Sequence, residues 1–517
     1  MKARLFKALL GLAVAIGAWA EPPRYVIMMI GDGMGWAQVQ LAEGYVGAEE
    51  GNFRGRLVMT GLPVAGVVRT HSANAHVTDS GAGGTALACG IKTRNGSVGV
   101  DTNGWRYVSL ATLAKRAGKK VGIITTDSLV GATPAAFYAH RTDRWCTYPI
   151  GVDLFRSGFD IVVAASDFDD PAGLAIPTNV LCALTNELSD LVVAGNCATN
   201  TSGITWTELH ALTAVYGYGW ITNASEWYGL APGTGKYVAV LDIPYGIADR
   251  TGGLTLAAVT RKCIELLSSP SGFFLLVEGA RIDKCGHIND SAASVFETLA
   301  FDDAVGAVYE FYTNHVDETL LVVTADHETG GMTFGHNENK LKLLGRQRGL
   351  AAEFQEEVTK YRSKHTLRGL IGRWWANVVG SEDAGKRGGS FEDIKPLLQS
   401  FFGFDDENEG VILTQSEWQE LEWAFEESMG GRRWYPDDEV LRAKYGGYDP
   451  LTVTATRILG EHAGVRWSTF DHSAAHVPVF AAGVGSAWFN GILDNTEIPR
   501  YIVRVMLPWQ DFPLRGE

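Results

Sequence analysis

Acidic and imidazole side chains spread from Asp32 to His472 carry the ligand chemistry of a metal centre. Asp32 follows the apolar run Tyr25–Ile30 inside Gly31-Asp32-Gly33, where glycines let the chain turn sharply and leave the carboxylate accessible. Glu278 ends the run 273–278, and Asp283 and His287 follow four residues apart, a spacing that turns both side chains to one point on a helical turn. Asp326 and His327 end the run 319–326, and His472 stands just before 477–482. Mixed carboxylate and imidazole donors suit zinc, and oxygen-only sets suit magnesium. Taken singly, an Asp at a strand end is a turn former or helix cap, and a lone His is a satisfied polar group. Their recurrence at the ends of apolar runs favours a shared site.

Ser80 is the second focus, in Thr78-Asp79-Ser80-Gly81-Ala82-Gly83-Gly84-Thr85-Ala86. At a helix N-terminus its hydroxyl would lie among free N–H groups and the positive end of the dipole, a setting for a phosphoryl group. The bland alternative is a plain N-cap serine. Nothing in the motif itself supplies a histidine base, so activation of Ser80 would have to come from metal coordination.

The elements that must position these residues are short β-branched and aliphatic runs: 25–30, 121–126, 237–242, 273–278, 319–326 and 477–482. Continuous apolar runs of this length suit strands buried on both faces of a parallel sheet. Helical patterns intervene at 109–117, 254–267 and 292–315. The alternation predicts an α/β fold, a doubly wound, mostly parallel sheet sandwiched by helices, with function beyond the carboxyl ends of the strands. Residues 335–465 are rich in Lys, Arg, Glu and Trp and read as an inserted, mostly helical cap or crown. The core then comprises 21–334 plus 466–517. Within the cap, Asp405, Glu407, Glu409 and Gly410 faintly resemble a calcium loop, but the position needing a bidentate Glu is Ser416. Thr414 and Glu417 read better as a capping box opening a helix at 415–428.

Lys2, Arg4 and Lys7, the apolar run 8–18 and the small-x-small pattern Ala18-Trp19-Ala20 read as a cleaved secretory signal over 1–20, too short to span a bilayer. No later run is apolar enough to span, and the charged C-terminus lacks a lipid-anchor tail. Export to the periplasm or the extracellular space follows as the expectation. The 517-residue chain carries a formal charge of −15, and loss of the leader's three cations takes it to −18. That balance argues against nucleic acid and against anionic membranes as partners. An anionic substrate would need local positive charge, which bound cations supply. Six cysteines are permitted disulfides by export; Cys182 and Cys197 make the favoured pair, and Cys89 reads as a buried free thiol.

These motifs, in order, resemble those of the alkaline phosphatase family: Gly31-Asp32-Gly33-Met34-Gly35, Val77-Thr78-Asp79-Ser80 through Thr93, Ala132-Thr133-Pro134 with Arg144, Val277-Glu278-Gly279 through Asp283 and His287, Thr324-Ala325-Asp326-His327-Glu328-Thr329, and His472 before Val477-Pro478-Val479. The resemblance is good over the core and poor over 145–235 and 335–465. It implies hydrolysis of phosphate monoesters through a phosphoserine on Ser80, and three metal sites. Asp283, His287 and His472 would hold one Zn2+; Asp326, His327 and Asp32 a second, with Asp32 bridging to Mg2+, which Thr133 and Glu278 complete. Arg144 would clamp two non-bridging oxygens in a bidentate fork, and Lys284 matches a lysine that some bacterial members place beside the phosphate. Family members are often homodimers.

Some positions depart from the family. Gly131 stands where many relatives carry Asp or His near the third metal, which implies looser magnesium binding. Ser473-Ala474 replaces Thr-Gly, His476 is a second candidate for the role of His472, and Cys285 and His140 read as structural. A phosphodiesterase relative generally lacks the third-metal set and the arginine clamp, and both are here; a sulfatase needs Cys/Ser-x-Pro-x-Arg, which Ser80 lacks. A non-catalytic phosphate-binding protein on the same fold predicts lost ligands, and none is lost.

Overall fold

The computed structural model describes residues 21–52, 54–166, 206–248, 254–335, 340–379, 389–405, 410–430 and 439–516. The expected leader, Cys182, Cys197, Glu407 and Glu409 lie outside the described residues. Fourteen strands occur among those described: β1 Tyr25–Gly31, β2 Val64–Arg69, β3 Lys120–Ser128, β4 Ile161–Ser166, β5 Tyr218–Ile221, β6 Lys236–Val240, β7 Phe273–Gly279, β8 Thr319–Thr324, β9 Glu328–Thr329, β10 Thr333–Phe334, β11 Val465–Arg466, β12 His472–Ser473, β13 Val477–Gly483 and β14 Gly491–Asp494.

Ten of them form one sheet in the order β14-β2-β13-β8-β1-β7-β3-β4-β6-β5. Only β13 pairs antiparallel within this sheet, with β2 and with β8; the other neighbours run parallel. The fold is therefore the mostly parallel α/β sheet expected from the alternation of elements. All six apolar runs singled out in the sequence are strands of this sheet. Four further members, β2, β4, β5 and β14, were not anticipated; all are short, and β5 and β14 are the two edges.

The middle strands β1, β7 and β8 are buried along their whole length. Helices cover both faces, so each residue of YVIMMI or TLLVVT meets apolar neighbours whichever way it points, which is why the runs do not alternate. At the carboxyl edge, Ile30 stands beside Glu278 on one side and Thr324 on the other, and Thr125 beside Glu278. Four neighbouring strands thus end in step, and the loops after them open on a common space.

Residues 340–465 contribute the helices Ala351–Val379, Phe391–Phe402, Gln415–Met429, Glu439–Tyr445 and Pro450–Ala463. Leu344, Phe354, Phe402, Leu421 and Leu451 form a second apolar cluster with Leu41, Tyr45, Ala292 and Val295, which lie on the helices Trp36–Glu49 and Ser291–Thr313. Thr414 and Glu417 form the expected capping box. The Asp405 carboxylate serves the local fold, accepting from Leu413 N at 2.8 Å and Trp418 Nε1 at 2.9 Å.

Cys89, Cys263 and Cys285 are buried free thiols. Cys146 is disulfide-bonded. The expected Cys182–Cys197 pair falls outside the described residues.

Candidate active site and metal centre

Ser80 opens the helix Ser80–Cys89 as its first helical residue, and the cap is Asp79, whose carboxylate accepts from Ala82 N at 2.9 Å and Gly96 N at 3.0 Å. The N-cap role weighed for Ser80 therefore belongs to its neighbour, and the Ser80 hydroxyl is left for another use. It lies 3.2 Å from His327 Nε2. The helix reaches this place because Gly83 packs on the end of β8: a Cβ there would meet Asp326 Cβ and O at 3.1 Å.

His327 Nε2 is the hub of the site. Asp32 Oδ1 stands 3.4 Å from it and Asp326 Oδ2 3.3 Å. Both carboxylate oxygens are buried and accept no hydrogen bond among the described residues. On the other side, the His472 ring stacks on His327 with centroids 3.6 Å apart. His472 Nε2 faces His287 Nε2 at 3.1 Å and Asp283 Oδ1 at 3.5 Å, and His287 Nε2 lies 3.3 Å from Asp283 Oδ2. Among the described residues, Asp32, Asp326 and His327 form one group with ligand atoms within 4.8 Å of one another, and Asp283, His327 and His472 another. His476 is exposed and belongs to neither.

Hydrogen bonds at the far nitrogens fix the tautomers. His287 Nδ1 is 2.6 Å from Phe470 O and His472 Nδ1 is 2.8 Å from Thr78 O. A carbonyl only accepts, so Nδ1 of each ring carries a proton, and Nε2 is the atom turned into the cluster, available to a cation once it is deprotonated.

The electrostatics describe the metal-free site. Burial, with the charges of Asp326, Asp283 and Glu278, pushes the Asp32 carboxyl well above the usual range. Burial and Asp283 lift Asp326 to about 7. Burial likewise lifts Glu278 to about 8, against a hydrogen bond from Thr125 and with the charge of Asp127 adding to it. Burial opposes ionisation of Asp283 too, but the hydrogen bond and charge of His287 outweigh it and hold that carboxyl far below the usual range. The same pair raises His287 to about 9 despite its burial. Burial and the neighbouring His472 push His327 well below 6.5, so it is a poor base for Ser80. Carboxylates that ionise only at a cost, with unpartnered oxygens turned toward bare imidazole nitrogens, lack a positive charge between them. Divalent cations fit both groups.

A third set lies at the ends of β3 and β7. Glu278 accepts from the Thr125 hydroxyl, and the buried Thr133 Oγ1 influences its ionisation while making no well-formed hydrogen bond. Arg144 Nη1 donates to Asp79 Oδ2 at 3.0 Å, which ties its guanidinium to the residue preceding Ser80. Lys284 is half exposed at the rim, ion-paired with Asp127.

Comparison with known proteins identifies the arrangement. The sequence profile of the family described as alkaline phosphatase matches residues 23–154 and 239–507, more than half of the chain. The chain belongs to the alkaline phosphatase family. Alkaline phosphatase 4 of Bacillus subtilis (strain 168) is 26% identical over 495 residues, spanning 93% of this chain and 88% of that one. The alkaline phosphatase of Escherichia coli (strain K12) is 29% identical over 413 residues, 70% of this chain and 84% of its own. The crystal structure of a cold-active alkaline phosphatase from a Shewanella species superimposes with a TM-score of 0.68 at 25% identity, covering 93% and 99% of the two chains. The profile runs through 335–465, so the stretch where the sequence resemblance is poor is also alkaline phosphatase in kind, and the gap falls at 155–238. The protein is thus a metal-dependent phosphomonoesterase. No helix among the described residues is long and apolar enough to cross a membrane.

Several residues of this alkaline phosphatase support the cluster without having been singled out in the sequence. Thr329 Oγ1 donates to Asp283 Oδ1 and lies 3.3 Å from His327 Nδ1, so one hydroxyl joins the two cation groups. Glu328 accepts from Gln38 Nε2 at 2.9 Å and from the Ser473 hydroxyl. Ser473 thereby ties β12 to β9 beside His472, and the departure from Thr-Gly keeps a hydroxyl where it is used. Thr329 and Glu328 stood within a quoted motif, but their roles depend on contacts across more than forty and a hundred residues, which spacing does not reveal. Cys285 sits in the second apolar cluster, and His140 is held by Tyr107 O at 2.8 Å, both structural.

Proposed function

We propose that the chain is an exported alkaline phosphatase that hydrolyses phosphate monoesters through a phosphoserine on Ser80, with two zinc ions and one magnesium ion. The observation that carries this reading is the pair of buried, unpartnered carboxylate oxygens on Asp32 and Asp326 that converge with His327 Nε2 beside the Ser80 hydroxyl. Asp283, His287 and His472 would hold one zinc and Asp32, Asp326 and His327 the other, since both sets mix carboxylate with imidazole. Asp32, Thr133 and Glu278 offer oxygen alone and would hold magnesium. When bound, these cations supply Lewis acidity and neutralise charge on the transferring phosphoryl group.

The chain's own residues do the rest. Ser80 Oγ forms a bond to phosphorus as the bond to the ester oxygen breaks, and water later displaces the serine, which regains its proton. The helix opening at Ser80 adds backbone N–H groups aimed at the phosphoryl oxygens. Arg144, anchored by Asp79, offers a fork for two non-bridging oxygens. Lys284 would add positive charge at the rim. Positioning and charge, rather than covalent work by the protein, account for most of the rate. Residues 1–20 would be a leader removed on export to the periplasm or beyond, 21–334 with 466–517 the catalytic core, 335–465 a cap, and the assembly a homodimer.

Ser80→Ala should abolish turnover of a chromogenic monoester while metal analysis returns unchanged zinc. Substantial residual activity in that variant refutes the serine assignment, and a diester turned over faster than the monoester refutes the substrate class.

A further inference from the structure

Gly131 precedes the short helix Ala132–Ala135 with φ −51° and ψ 145°, a conformation open to any L-residue. The backbone therefore does not demand glycine here. A Cβ at 131 would instead meet Asp127 Oδ2 and Ser128 O, both at 3.2 Å. The space that a side chain at 131 would enter is already lined by the Asp127 carboxylate.

Asp127 reaches that space through an irregularity in its strand. The pairing of β3 with β4 shifts register between Thr125 and Ser128, and such a bulge re-aims the side chains it contains. The Asp127 N–H donates to Thr125 Oγ1 at 2.9 Å, and the Thr125 hydroxyl donates on to Glu278 Oε2. The other carboxylate oxygen, Oδ1, is ion-paired with Lys284 Nζ. Beside this network stands Thr133 Oγ1, buried and without a well-formed hydrogen bond.

We propose that Asp127 is a positioning residue of the magnesium site, its carboxylate occupying the place left by Gly131 next to Glu278 and Thr133. The inference rests on the third-metal reading above. Magnesium keeps several of its waters, and their hydrogens need acceptors beyond the direct ligands. Thr133 and Glu278 supply direct oxygens, and Asp127 is the nearby carboxylate free of that duty. In its absence the glycine would leave this side of the cation's water shell without a charged acceptor, which is the loosening that the sequence leads one to expect.

Magnesium binding to the zinc-loaded full chain, followed by isothermal titration with zinc content measured alongside, tests the idea. Asp127→Ala should weaken magnesium about 10- to 100-fold, the usual effect of removing an outer-shell partner, with zinc content unchanged. Asp127→Asn, which keeps the size, should weaken it in the same direction. Gly131→Asp placed in the Asp127→Ala background should restore affinity, because the carboxylate that crowded the new Cβ is gone. Lys284→Ala should not weaken magnesium; an equal loss there would mean that Asp127 acts only through its ion pair and would overturn the inference. Unchanged magnesium affinity in Asp127→Ala overturns it as well and leaves the third site standing. Wild-type chain that takes up zinc and no magnesium overturns the site and the inference together.

Discussion

Replacing Thr329 by valine removes one buried hydroxyl and little volume. That hydroxyl donates to Asp283 Oδ1 and stands 3.3 Å from His327 Nδ1, and Thr329 has no exposure through which water could replace it. Asp283 would lose a hydrogen bond to a charged acceptor, worth about 1.5–3 kcal/mol, and the His327 N–H would be left buried without a partner, at about 1–3 kcal/mol. Both losses fall on residues proposed to hold zinc, so they loosen ligand orientation in both cation groups at once. An effect of about 1.4–2.8 kcal/mol on zinc binding corresponds to a 10- to 100-fold weaker Kd. Competition against a chromophoric chelator measures that Kd directly, with Thr329→Ser as the control that keeps the hydroxyl. We expect Thr329→Ser near wild type and Thr329→Val weakened by the stated factor, with kcat/KM recovering at saturating zinc. A Thr329→Val Kd within twofold of wild type would show that this hydroxyl does not organise the centre.

Gly83→Ala should lower the melting temperature, at about 1–3 kcal/mol for overpacking, even though alanine is the better helix former by about 1 kcal/mol; a melting temperature that rises instead would mean the helix is not held against Asp326 at 3.1 Å. The metal-free protein should lose stability as the pH rises from about 6.5 to 8. Folded Glu278 and Asp326, raised to about 8 and 7, and His287, raised to about 9, all retain protons that the unfolded chain has released in that window, so the unfolded state gains. Zinc must displace the protons of Asp326 and His287, so its stabilisation should grow over the same interval, and thermal melts with and without chelator at pH 6.5 and 8 check both signs. A metal-free melting temperature that climbs across the window contradicts the assignment of these shifts.

Much of the fold was legible because its evidence is local. Six apolar runs without alternation can satisfy their side chains only between two covering layers, and all six are strands of the sheet. The capping box at Thr414 and Glu417 was equally local. The missed strands β2, β4, β5 and β14 are four to six residues long, too short for a periodicity to stand out. At the site, Asp79 rather than Ser80 caps its helix, a choice that depends on Gly96 and Arg144 arriving from elsewhere.

The sequence by itself determined the inventory: which strand ends carry carboxylates and imidazoles, that Asp283 and His287 share a helical turn, and that a serine precedes a run of small residues. These follow from residue type and short-range geometry, which survive any rearrangement of the elements. Tertiary structure alone decided that β8, β1, β7 and β3 lie side by side, that antiparallel β13 brings His472 to the same edge, and that Phe470 O and Thr78 O turn the Nε2 atoms of His287 and His472 inward. It also decided that a register shift in β3 delivers Asp127 to the gap at Gly131. Each of these rests on contacts between segments far apart in the chain, whose geometry is set by the packing of the whole core and by no residue's own preference.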